Sequence, residues 1–125
     1  MSKKNVWLQS NFAMKFKTFI MNWIALIIAG IFEIGWPLGL KMAQQTGSNK
    51  VVWIAFAILS MAVSGGLLFY AQKTIPIGTA YAVWTGLGAV GTLLVGIAFF
   101  GDSASIFRLL SALLIVVGII GLKIF

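Results

Sequence analysis

Glu33 is one of only two acidic residues in a chain of 125, and no other charge lies between Lys17 and Lys41. The run from Trp23 to Leu40 around it is apolar and long enough to cross a bilayer. At about 1.5 Å per helical residue, Glu33 stands roughly 15 Å from Trp23, near the middle of a hydrocarbon layer about 30 Å thick. An ionisable group is expensive there and marks a site for protons or ions; the alternative is a neutral carboxyl bonded to a neighbouring helix as structural glue. Its neighbours by spacing fit the first reading. Trp36, at i+3, shares its face and has one N–H to donate. Pro37, at i+4, has no N–H for the Glu33 carbonyl, so the helix is expected to kink beside a free acceptor. Gly35 and Gly39 weaken the same region.

Further polar residues lie in later apolar stretches. Ser64 precedes Gly65 and Gly66 and offers either a hydroxyl to another helix or a bond back to its own. Tyr81, Trp84, Thr85 and Gly88, at i, i+3, i+4 and i+7, form one aromatic and polar face. Such rings flank a cation, and their polar edges hold a carboxylate. Gly86, Gly88 and Gly91 make that helix easy to bend, and Gly118 and Gly121 suit the last one to helix packing, including an oligomer contact.

These residues need elements to carry them. Composition is 61% hydrophobic, with mean hydropathy +1.06, which is that of a membrane protein. The absence of cysteine and histidine, with two acids in all, argues against disulfides, metal sites and enzymatic acid–base or nucleophilic chemistry, and nothing calls for a cofactor. Net charge is +7, but the basic residues sit at or beyond the ends of the apolar stretches, where they reach the interface, and no nucleic-acid patch forms. Four stretches follow, near 22–40, 51–71, 78–100 and 106–122, so the fold class is all-α with four transmembrane helices. Pro76 is placed at the start of the third helix. Ser103 and Ser105 are candidate caps for the fourth, with Asp102 beside its N-terminus. The chain divides into a basic extension, 1–20, and a four-helix transmembrane domain, 21–125.

Taken together, Trp23, Ala29-Gly30-Ile31-Phe32-Glu33, the run Pro76 to Gly91 and Gly118-Ile-Ile-Gly-Leu-Lys123 resemble the small multidrug resistance family of bacterial inner-membrane transporters. Trp36 and Trp84-Thr85-Gly86-Leu87-Gly88-Ala89-Val90-Gly91 resemble its guanidinium-exporter branch. The resemblance implies an antiparallel homodimer that exports a cation in exchange for protons. It implies that Glu33 binds both, lined by Trp36, Ser64, Tyr81 and Trp84. Pro37 departs from the pattern, where a small residue such as alanine is common. A broad exporter of quaternary ammonium or other hydrophobic cations is the nearer alternative. A non-transporting membrane interaction subunit is the more distant one.

Residues 1–20 carry Lys3, Lys4, Lys15 and Lys17 among aromatic residues. They read as a segment on anionic lipid or as sequence upstream of a working start at Met21, more readily than as a cleaved signal peptide. Counted from Met21, one side of the membrane holds Lys73 and Lys123 and the other Lys41, Lys50 and Arg108, two charges against three. Counted from Met1 the balance is six against three. The first count suits the dual topology of an antiparallel dimer. The expectation is therefore that Met21 is the start, or that the extension does not control insertion.

Overall fold

A computed structural model describes residues 2–125. It contains four helices, α1 (Lys3–Ala43), α2 (Lys50–Ala71), α3 (Ile77–Phe99) and α4 (Ile106–Ile124), and among the described residues no strand. Each helix is long and apolar enough to cross a membrane. Most large apolar side chains outside the small core are exposed, as lipid-facing residues are.

Three turns set the order of the helices. Asn49 caps α2 through its side-chain oxygen, which accepts from the Val52 N–H, and Gly47 takes the positive φ that the preceding turn requires. Pro76 stands at the N-cap of α3, as its missing N–H allows. Ser105 stands at the N-cap of α4, but its side chain makes no capping bond. The Ser103 carbonyl instead accepts from Arg108, at 2.8 Å. Asp102 turns away from α4: its N–H donates to the Gly96 carbonyl, and its carboxyl packs on Gly96 where a Cβ would otherwise sit.

α1 is the central element, packed on both α2 and α3, while α4 packs chiefly on α3. In lipid this association rests on close van der Waals contact, so small residues mark the seams. A Cβ on Gly39 would lie 2.9 Å from the Trp53 carbonyl oxygen and 3.0 Å from Ala57 Cβ. One on Gly30 would lie 2.7 Å from Leu87 Cβ, one on Gly91 2.7 Å from Ile34 Cγ1, and one on Gly86 2.8 Å from Ile119 Cδ1. Gly118 and Gly121 meet nothing within 4 Å in the single chain. A compact core of Trp23, Leu26, Ala71, Ile75, Ala80 and Val83 closes the end of the bundle beside the α2–α3 turn.

One feature of α1 differs from the sequence expectation. Its helix does not begin at Asn22 but runs back through the extension to Lys3. The sequence signal there was hydropathy, which marks the membrane-crossing part and not the limit of helical backbone. Helical backbone also runs through Pro37. Proline removes a single hydrogen bond, and the close seam with α2 at Gly35 and Gly39 holds the turns on either side.

Gly39→Val should force α1 and α2 apart, because the new side chain meets backbone. The expected loss is about 1–3 kcal/mol of stability, read by sodium dodecyl sulfate titration in micelles. Gly78→Ala, at a site open to at least 4 Å, should leave the midpoint unchanged or slightly raised.

Candidate functional site

Glu33 is partly buried on α1, facing α2 and α3. Trp36 Nε1, one turn along the same helix, donates to Glu33 Oε1 at 2.8 Å, as the i+3 spacing predicts. Ser64 comes from α2 and is fully buried. Its hydroxyl does not bond back to its own helix. It crosses to α1, at 3.0 Å from Glu33 Oε2 and 2.7 Å from the Ala29 carbonyl oxygen. Trp84 completes the chain from α3, its Nε1 donating to Ser64 Oγ at 2.8 Å. Three helices therefore meet in one polar network inside an apolar bundle.

The donor count in this network is informative. A serine hydroxyl has one proton and two acceptor positions. The Trp84 N–H fills one acceptor position, and the Ala29 carbonyl takes a proton and gives none. With Glu33 ionised, Ala29 and Glu33 compete for the single Ser64 proton. With Glu33 protonated on Oε2, its O–H donates to Ser64, Ser64 donates to Ala29, and every group has a partner. The arrangement accommodates both states, and it distinguishes them by which way one hydroxyl turns.

Gly88 brings α3 against the glutamate. A Cβ there would lie 2.6 Å from Glu33 Cγ, so only glycine permits this approach. On its open side Glu33 faces a groove of about 460 Å³ lined by Trp36, Pro37, Thr85, Gly88, Thr92, Asp102 and Arg108 among others. The groove thus joins the two acidic residues of the chain and its single arginine.

The expected site residues are brought together unequally. Trp36, Ser64 and Trp84 bond within the network. Tyr81 does not reach Glu33: it is largely exposed, and its ring packs on Trp84 with centroids 5.5 Å apart. Thr85 bonds back to the Tyr81 carbonyl at 2.8 Å, so its hydroxyl is held by its own helix. Thr92, Asp102 and Arg108 are groove residues that the sequence reading did not assign to the site. For Asp102 and Arg108 the only signal was rarity, one further acid and one arginine, since their place in the groove depends on the α3–α4 turn folding back over Gly96, and Thr92 on α3 gave no signal.

Comparison with known proteins shows the family of the chain. Residues 21–115 match the family described as Small Multidrug Resistance protein. Proteins named guanidinium exporter are 53% identical to the chain in Proteus vulgaris, 52% in Salmonella typhimurium and 50% in Escherichia coli. Each alignment spans 103 residues and covers 82% of this chain and 96–97% of the relative. With a mid-helix glutamate, its cross-helix serine and tryptophans, and four membrane-crossing helices in place, the chain belongs to the small multidrug resistance family and is a multi-pass protein of the bacterial inner membrane.

Proposed function

We propose that the chain exports guanidinium or small guanidinyl cations in exchange for protons, as an antiparallel homodimer with Glu33 as the shared binding group. The observation that carries this reading is the state of the Glu33 carboxyl. Its two oxygens are held in orientation by neutral groups, Trp36 and Ser64, and no cationic side chain is bonded to either of them among the described residues. Arg108, the fixed cation that lines the same groove, is bonded to the Ser103 carbonyl. The relatives named guanidinium exporter support the same substrate.

Guanidinium is planar and carries N–H donors around its edge, so it forks to a carboxylate as an arginine side chain does. A quaternary ammonium has no N–H donor and binds through aromatic walls instead. Here the indoles of Trp36 and Trp84 have their N–H edges committed to Glu33 and Ser64, which leaves a site arranged around hydrogen bonds.

Exchange follows from competition at one group. A proton on Glu33 removes the charge that holds the cation, and a bound cation displaces the proton. If the site opens to one side of the membrane at a time, neither crosses in the same direction as the other. The switch of the Ser64 hydroxyl between Ala29 and Glu33 lets the network follow each exchange without moving a helix. Two copies supply two such carboxyls and a fully enclosed pathway, which one chain of four helices is too small to form. Tyr81, exposed in the single chain, and Gly118 and Gly121, open on α4, are available to the second copy.

Three outcomes test the proposal in proteoliposomes with an imposed pH gradient. Glu33→Gln should abolish proton-coupled guanidinium transport while the protein still elutes as the wild-type oligomer; retained coupling removes Glu33 from its role. Guanidinium should be transported at least about tenfold faster than tetrapropylammonium, the value of one charge-assisted hydrogen bond. The reverse ranking would favour a broad hydrophobic-cation exporter. Gly88→Ala should push the carboxyl aside and lower guanidinium affinity by up to about a hundredfold without loss of the oligomer, measured by isothermal titration.

A further inference from the structure

We infer that Asn22 is a break point in α1, at which residues 3–21 turn aside and lie on the anionic lipid surface. Two independent observations lead there.

The first is an unpartnered atom. Asn22 is 1% exposed, and its amide nitrogen donates to Thr74 Oγ1 in the α2–α3 turn. Its Oδ1 is the one buried side-chain polar atom without a hydrogen-bond partner among the described residues. Asparagine is a poor residue inside a helix and one of the best at an N-cap, where its side-chain oxygen accepts from a backbone N–H two or three residues on. In the unbroken helix those N–H groups are already bonded. If the helix instead starts at Asn22, the N–H of Ile24 or Ala25 is free and Oδ1 gains its partner, while the bond to Thr74 remains. The family match begins at residue 21, beside the same position.

The second observation is what precedes the break. α1 has 41 residues, about 61 Å of helix, which is twice the hydrocarbon thickness. Kept straight, the extension would project its apolar residues into water. Leu8, Phe12, Phe16 and Phe19 recur at steps of four, four and three, which is one face of a helix, and all are at least half exposed. The Phe12 and Phe16 rings stack with centroids 6.4 Å apart. Lys4, Asn11 and Lys15 flank the stripe on one side, and Lys3, Ser10 and Lys17 lie on the opposite face together with Trp7 and Met14. The segment has four lysines and no acid. It leaves the bundle at the end of the apolar stretch of α1, so the nearest surface that satisfies both the stripe and the lysines is a bilayer with anionic headgroups.

The test uses the full chain, which has no native cysteine. Spin labels are placed singly at Phe16→Cys and Asn11→Cys, and the protein is reconstituted into phosphatidylcholine vesicles with or without phosphatidylglycerol. With phosphatidylglycerol, the label at position 16 should collide with oxygen several-fold more than with a water-soluble nickel chelate, and the label at 11 should show the reverse. In phosphatidylcholine alone this contrast should weaken, because each lysine near an anionic surface favours it by roughly fivefold. Asn22→Ser keeps a good cap and should preserve the pattern. Asn22→Leu removes the cap and should leave both labels accessible to the chelate. Equal accessibility of the two labels in anionic vesicles overturns the proposal, as does an unchanged pattern in Asn22→Leu.

Discussion

A carboxyl group inside an apolar bundle needs partners, and the bond from Ser64 to Glu33 is the one on which the arrangement of this protein turns. It joins α2 to α1, and through Trp84 it joins α3 to both. In water such a network would be one contribution among many. In lipid, where apolar side chains lose nothing by facing outward, polar contacts and close packing are what hold helices in register. Each element of the fold is consistent with that need. Gly88 admits the Glu33 side chain, Gly30 lets Leu87 approach one turn earlier, and Gly35 accepts Ser60, which lies one turn before Ser64 on α2.

On the proposed exchange, the same network would let one site take opposite occupants in turn. A group that binds a proton and a cation in turn must not be held by a permanent counter-charge, because that would compete with both. Neutral donors orient the carboxyl and leave its charge available. Arg108, which lines the groove, is bonded to the Ser103 carbonyl, and Lys41, Lys50, Lys73 and Lys123 lie at or just beyond helix ends, where water and headgroups solvate them.

Much of this was legible in the sequence because lipid simplifies the reading. Four long apolar runs allow only helices, and the limits of α2, α3 and α4 followed from charges, capping residues and Pro76, whereas α1 runs back to Lys3. Glu33 stood out by isolation, and Trp36 by its distance of one turn. Ser64 was ambiguous, since a serine in a helix bonds to its own backbone as readily as to a neighbour, and only packing decides. Tyr81 was placed with the site by its face. Within one chain that face carries Trp84 inward and leaves Tyr81 at the surface. The turn of Asp102 onto Gly96 was not legible at all: an acid before a helix suggests a cap, and nothing local says that it folds back to the preceding helix.

That turn gives α4 a mechanical place. Ile115 and Ile119 of α4 press on Gly86, and the turn leading into α4 is fixed to Gly96 through Asp102. α4 therefore grips α3 on both sides of Gly88 and Gly91 and lies along it as a splint lies along a joint. A bend in the glycine run has to slide the isoleucines along Gly86 or pull the turn off Gly96. The helix that brings only Arg108 to the groove thus sets how stiff the neighbouring wall of that site is.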